Sequence, residues 1–152
     1  MSKSILITGA STGIGRALAF EFSRRGYALA LCARRLELLE SLREELGGKT
    51  QVAIAKLDVA EFACVPEVLH KLADELGGVQ IVIANAGVGE RSYPGEGTFQ
   101  LDRKVIEINV LGAMATIDAG AEILKKEGGG QIVGISSVAG FRGLSSTPAY
   151  SA

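Results

Sequence analysis

The amino-acid sequence predicts an α/β fold, a doubly wound parallel sheet of five strands in the order 3-2-1-4-5. Three observations carry this reading. Short continuous apolar runs alternate strictly with segments of helical periodicity along all 152 residues, which is the pattern of a sheet whose strands are joined by helices. Each apolar run is too continuous to have a wet face, so the sheet should be covered on both sides, as parallel sheets are. Helical connections between parallel strands cross over right-handedly, and an open sheet built that way reverses its winding beside the first strand.

The elements follow in order. "SILIT" at 4–8 is the first strand, β-branched and ended by Gly9. "IGRALAFEFSRRG" at 14–26 sets Ile14, Ala17, Leu18 and Phe22 at helical spacing, with Gly26 as the stop. "YALALCA" at 27–33 is the second strand, and "LELLESLREELGG" at 36–48 is a helix ending in two glycines. "QVAIAKLDV" at 51–59 is the third strand. "VPEVLHKLADELGG" at 65–78 is the third helix, with Pro66 in its first turn, where a missing N–H costs nothing. "VQIVIANAG" at 79–87 is the fourth strand, followed by a loop at 88–97. One long helix is predicted over 98–130, closed by three glycines, and "QIVGISS" at 131–137 is the fifth strand. Residues 138–152 read as a loop. The 20 glycines cluster between these runs and act as turn punctuation rather than low complexity. No repeat or linker divides the chain, so 1–152 is read as one domain.

Composition excludes several classes. Sixteen basic and 17 acidic residues give a net charge of -1, which leaves no basic footprint for nucleic acid and no charged tail. No apolar run is long enough to span a bilayer. The opening "MSKSILITGAS" enters a strand without a signal-peptide layout, so a cytoplasmic location is expected. Cys32 and Cys64 stand apart in apolar surroundings and are read as reduced core or near-core thiols. With no CxxC and no Cys/His cluster, no metal site is expected. His70, the one histidine, lies among Glu67, Lys71 and Asp74 and is read as a solvated helix residue.

In a sheet of this type, ligands sit at the carboxyl ends of the strands where the winding reverses. In this sequence that place is "TGASTGIG", residues 8–15. Gly9, Gly13 and Gly15 let the backbone turn sharply and approach a ligand. The helix beginning near Ile14 offers free N–H groups and the positive end of its dipole, so a phosphate is the natural guest. No GK[ST] follows, which excludes the Walker loop, and the spacing is not GxGxxG.

"TGASTGIG" resembles the cofactor turn of the classical short-chain dehydrogenases/reductases. Further segments carry the resemblance in order along the chain: "LDV" at 57–59, "ANAG" at 84–87, "IEINVLG" around Asn109, "GISSVAG" around Ser137, and "PAYSA" at 148–152. Tyr150 stands thirteen residues after Ser137, the family's usual gap. The resemblance implies a Rossmann-type dinucleotide-binding domain. Its cofactor contacts would fall at Gly9, Ser11, Thr12, Gly13, Ile14 and Gly15, then at Asp58 and Val59 beside the adenine, and at Asn85, Ala86 and Gly87. Ala84 stands where the family usually has the first asparagine of NNAG, and Asn85 is expected to act through backbone and sheet hydrogen bonds.

The end of the second strand, "LCARR", bears on the nucleotide. An acid there would hold a ribose 2′-OH and favour NAD. Here Ala33 is followed by Arg34 and Arg35, whose forked donors suit a 2′-phosphate, so NADP is the expected cofactor and NAD the less favoured one. Arg16, just past the glycine turn, is a further candidate for the same charge.

Carried over from the family, Tyr150 is the acid/base, Ser137 steadies the substrate oxygen and Asn109 is the helix member of the catalytic set. The implied reaction is hydride transfer between nicotinamide and a small carbonyl or alcohol substrate, in a homo-oligomer. The family's lysine belongs four residues after the tyrosine, beyond residue 152. A free tyrosine ionises near ~10. A lysine charge at ~4 Å is worth roughly 4 kcal/mol at an effective dielectric of ~20, or about three pKa units. The chain is therefore expected to be a C-terminally incomplete segment of a longer enzyme, poorly active alone. Its later strands would be missing and its fifth strand left as an exposed edge. A dinucleotide-binding module without turnover is the alternative, which the joint presence of Asn109, Ser137 and Tyr150 disfavours.

Overall fold

Side-chain alternation along the first strand decides how the molecule is layered. In the computed structural model, which describes residues 3–152, that strand is β1 (Ser4–Thr8), and every one of its residues is buried. Ile5 and Ile7 point to one face of the sheet and Leu6 to the other. Beside β1 run β2 (Ala28–Ala33) and β4 (Ile81–Ala84), both parallel to it. Outside them lie β3 (Val52–Lys56) and β5 (Gln131–Gly134), which complete the predicted order β3-β2-β1-β4-β5.

Each face has its own core. Ile5, Ile7, Leu29, Leu31 and Ile83 pack with Ala19 of α1 (Gly13–Arg24) and with Leu39 and Leu42 of α2 (Leu36–Glu45). On the other face, Leu6, Ala30 and Val82 pack with Leu69 and Leu72 of α3 (Val65–Glu75) and with Ala119, Ile123 and Leu124 of α5 (Ala113–Lys126). Burying a leucine or isoleucine is worth about 1.5–3 kcal/mol, so these two layers are the principal stabilising term of the domain.

The structure departs from the sequence-based expectation at several places. The predicted helix over 98–130 is three segments: α4 (Phe99–Ile106), a π-helical stretch (Glu107–Gly112), and α5. The widened turns hold Asn109, and Gly112 lies where Val59 comes so close that no side chain fits. The third, fourth and fifth strands end earlier than predicted. Residues 58–59, 85–87 and 136–137 lie beyond the paired strands at the carboxyl edge of the sheet. β5 has a wet edge, with Gln131 and Gly134 exposed. Cys64 is exposed on a 3₁₀ turn (Phe62–Cys64), because that turn lifts it off the sheet before α3 begins. His70 is partly exposed, and it faces α5, with Nε2 3.2 Å from Oε2 of Glu122.

Two predictions follow from this packing. A Cβ on Gly112 would lie 2.6 Å from Val59 Cγ2 and 3.0 Å from the Val59 carbonyl oxygen. Gly112→Ala should therefore lower stability in urea titration by about 1–3 kcal/mol, outweighing the ~1 kcal/mol that alanine gains in helix propensity. The thiols should separate cleanly. Burial pushes the Cys32 thiol from an ordinary 9.0 up to about 12, whereas Cys64 is open to solvent. At pH 8 a thiol reagent should consume one equivalent in the native protein and the second only on unfolding. The buried neutral thiol stabilises the fold fully below about pH 9, and that contribution is lost as pH rises toward 12.

Candidate functional site

At the carboxyl edge the pairing of β1 with β4 stops after Ile7 and Ile83, and the backbone groups that face each other beyond it lose their ladder partners. Side chains replace them. The Thr8 hydroxyl, 1% exposed, accepts from the N–H of Asn85 at 3.1 Å and of Ala86 at 3.2 Å. The Asn85 amide donates to the carbonyls of Thr8 at 2.9 Å and Gly9 at 3.2 Å. Asn85 thus works through backbone hydrogen bonds, holding the glycine turn against the end of β4. The packing there admits no side chain: a Cβ on Gly9, whose φ is +67, would lie 2.7 Å from Ala86 Cα. One on Gly15 would lie 2.5 Å from the Gly9 carbonyl oxygen and 2.6 Å from the Asn85 amide nitrogen.

Gly13 is different. Its φ is +57, yet a Cβ there would meet nothing within 4 Å. The space above it is open, and the first turn of α1 has neither an acidic residue nor a side-chain cap. The unpaired N–H groups of that turn therefore face a cradle of positive potential. Two guanidinium groups flank it. Arg35 donates to the Thr12 hydroxyl at 3.3 Å, and Arg34 stands 3.9 Å from the Asp58 carboxylate. Arg16 turns away, paired with Glu45 and stacked over the Phe20 ring, and so brings no charge to the cradle.

The cradle is one end of a cleft of about 670 Å³ along the carboxyl edge. Gly9, Ser11, Thr12, Gly13 and Ile14 line it, with Arg34, Arg35, Asp58 and Val59 beside them. Asn85, Ala86 and Gly87 form its centre, and Asn109, Ser137 and Tyr150 lie along the other end. Of the residues singled out from the sequence, Gly15 and Arg16 do not line the cleft; Gly15 is packed beneath the turn, and Arg16 is turned away toward Glu45. The donors and the open cradle fit a dinucleotide phosphate.

At the far end the polar groups have defined partners. The Asn109 side chain clamps the backbone of Val88, accepting from its N–H and donating to its carbonyl, both at 2.8 Å. The π-helical stretch places Asn109 for this, as such widened turns often do at functional sites. The Ser137 hydroxyl caps a 3₁₀ turn (Val138–Gly140), accepting from the Ala139 N–H at 3.2 Å. One lone pair is thereby engaged, and the hydroxyl proton is left to donate. Tyr150 lies on a terminal 3₁₀ turn (Ala149–Ser151). A Cβ on Gly89 would stand 3.9 Å from the Tyr150 ring, so the 87–89 backbone runs between Asn109 and Tyr150.

Sequence reasoning missed Val88, Gly89, Val110 and Ala113 as cleft residues. Gly89 carried a signal in its position just past "ANAG". Val110 and Ala113 carried none, because an ordinary α-helix would place its residues differently from the widened turn.

Among the described residues no group of His, Cys, Asp and Glu side chains is arranged to hold a metal ion, and no helix is long and apolar enough to cross a membrane.

Comparison with known proteins agrees with this geometry. The chain is 40% identical over 145 residues to an uncharacterised oxidoreductase of Mycobacterium tuberculosis, covering 93% of this chain and 57% of the relative. It is 36% identical over 148 residues to an NADP-dependent 3-hydroxy acid dehydrogenase of Schizosaccharomyces pombe, covering 91% and 55%. Among solved structures, an alcohol dehydrogenase from the archaeon Thermococcus sibiricus complexed with 5-hydroxy-NADP superposes with a TM-score of 0.92 at 35% identity. That match covers 99% of this chain and 65% of that one. The chain thus spans between about half and two thirds of the length of these relatives. The family model for short chain dehydrogenases matches residues 3–152, and the chain belongs to that family.

Proposed function

We propose that the whole protein is an NADP-dependent oxidoreductase acting on a small carbonyl or alcohol substrate. The observation that carries this is the single cleft joining a phosphate-type cradle to Asn109, Ser137 and Tyr150. In this reading the first turn of α1 and the backbone of 11–13 hold the pyrophosphate. Arg34 and Arg35 hold the adenosine 2′-phosphate, and Asp58 and Val59 flank the adenine. The bound nicotinamide supplies or accepts the hydride. The chain's own residues manage the oxygen. Ser137, with its acceptor side occupied by Ala139, donates its proton to the substrate oxygen. Tyr150 gives or takes the proton on that same oxygen. Asn109 fixes Val88 and with it the wall between tyrosine and cofactor.

Support for NADP is electrostatic. Arg34 and Arg35 stand beside the positive helix end without a tight carboxylate, since the Arg34–Asp58 separation is 3.9 Å. Two of the relatives also name the phosphorylated cofactor. The reading includes self-association, which the exposed apolar row of Val110, Leu111, Met114 and Ile117 supports.

Fluorescence titration of the intact protein tests the cofactor. NADPH should bind at least about tenfold more tightly than NADH, because charge-assisted hydrogen bonds contribute about 1.5–3 kcal/mol each. Arg34→Ala and Arg35→Ala should each weaken NADPH by about ten- to a hundredfold and leave NADH nearly unchanged. Equal or tighter binding of NADH would remove the NADP assignment. Turnover is tested with benzaldehyde, cyclohexanone and acetoacetate as carbonyl probes. Tyr150→Phe should reduce the rate on any accepted probe by about 10²–10⁴ while NADPH affinity is kept. A wild-type rate in that variant would refute the acid/base role.

A further inference from the structure

The segment bearing Tyr150 makes few hydrogen bonds to the rest of the molecule. Residues 144–151 form a loop closed largely on itself. The Ser151 hydroxyl accepts from the Leu144 N–H at 3.1 Å, and the Thr147 hydroxyl donates to the Leu144 carbonyl at 3.3 Å. The Ser151 N–H donates to the carbonyls of Thr147 and Pro148. Among the described residues, one hydrogen bond joins this loop to another part of the chain. The Ser92 N–H donates to the Ser146 carbonyl at 3.0 Å.

Both partners of that bond are unusual. Ser146 has φ +62, the one left-handed non-glycine residue among those described. The left-handed turn sets the direction of the Ser146 peptide, and a serine adopts it only when its surroundings hold it there. Ser92 is fully buried, while every residue of 93–97 is exposed. Its hydroxyl donates to the Asp102 carboxylate on α4 in a charge-assisted bond. The same helix packs against the 3₁₀ turn that carries Tyr150.

We propose that Ser92 and Asp102 are positioning residues for Tyr150. Asp102 anchors the Ser92 hydroxyl to α4, and the Ser92 backbone in turn holds the Ser146 peptide and the loop that ends in Tyr150. The loop leaving β4 and the loop leaving β5 are thereby locked to one helix, and the phenol is held at a fixed place beside Gly89. Neither Ser92 nor Ser146 lines the cleft, and neither does Asp102. Their effect on chemistry is therefore through Tyr150, and the proposal rests on the acid/base reading of Tyr150 given above.

Hydrogen–deuterium exchange of the intact protein tests the tie directly, with NADPH titration and probe turnover measured alongside. In Ser92→Ala and Asp102→Ala, exchange at 144–151 should rise about tenfold or more, with β1 and α1 unchanged. NADPH affinity should stay within about twofold, while kcat falls about tenfold or more. Asp102→Asn keeps an acceptor oxygen and should recover most of the protection and most of kcat. If Asp102→Ala fails to fold, Asp102→Asn and Ser92→Ala carry the test. Unchanged exchange at 144–151, or a rise spread evenly over the sheet, overturns the proposal. The two readings fail separately. If Tyr150→Phe is inactive but the Ser92 and Asp102 variants keep both rate and protection, the positioning role falls and the acid/base role stands. If Tyr150→Phe keeps the wild-type rate yet the Ser92 and Asp102 variants loosen 144–151 alone, the tie stands and the acid/base role falls.

Discussion

The cleft depends on how two parallel strands are allowed to part. A ladder that ends inside a protein leaves donors and acceptors without water, and each buried one left unpaired costs about 1–3 kcal/mol. Here Thr8 and Asn85 take over for the missing strand pairing, with four hydrogen bonds donated across the gap from Asn85 and Ala86 to Thr8 and Gly9. The strands separate without that penalty, and the Gly9 turn is pinned to Ala86 at a distance no side chain allows. With the turn fixed, the start of α1 is fixed, and with it the direction in which its free N–H groups point. Arg35 then finds Thr12, and the second strand delivers its charge to the same place. A weaker tie at Thr8–Asn85 would move the cradle, the arginines and the floor of the cleft together.

What was legible in the sequence follows from how local each signal is. The strands, and the first three helices, are written in periodicity, and their order follows from the handedness of the crossovers. The glycine turn was legible because close approach and left-handed backbone leave few alternatives to glycine. Arg34 and Arg35 were legible as cleft residues because they follow the end of the second strand, beside the glycine turn. Asn109 was placed on a helix correctly, but the widening of that helix was not visible. Apolar spacing through "VIEINVLGAM" suits an α-helix, and the π-helical stretch arises from packing of Gly112 on Val59 and from the clamp on Val88, both tertiary. Cys64 was misplaced because its apolar neighbours Phe62 and Ala63 belong to an exposed turn rather than to a strand. The partner of His70 was not legible, because the charged neighbours in sequence share its helix, while Glu122, which it faces, comes from α5. The connection from Ser92 to Ser146 joins loops more than fifty residues apart and left no trace in either.

The electrostatics of the cradle bear on the proposed choice of nucleotide through a competition that can be sized. Asp58 is the carboxylate nearest Arg34, and in principle it could satisfy that guanidinium and leave nothing for a phosphate. At 3.9 Å, with Arg34 more than half exposed, such a pair is worth about 0–1 kcal/mol. A phosphate offers a second charge and several acceptor oxygens, and forked bonds to it are worth about 1.5–3 kcal/mol each. Exchanging Asp58 for phosphate at Arg34 therefore favours the phosphate even before Arg35 and the helix end are added. Asp58 is not wasted in this arrangement. Its Oδ1 accepts from the Ala60 N–H at 3.1 Å, which shapes the turn after β3 where the adenine would lie. In the proposed reading one carboxylate braces the wall where the adenine would lie, through its backbone contact, and holds Arg34 so loosely that a phosphate would displace it.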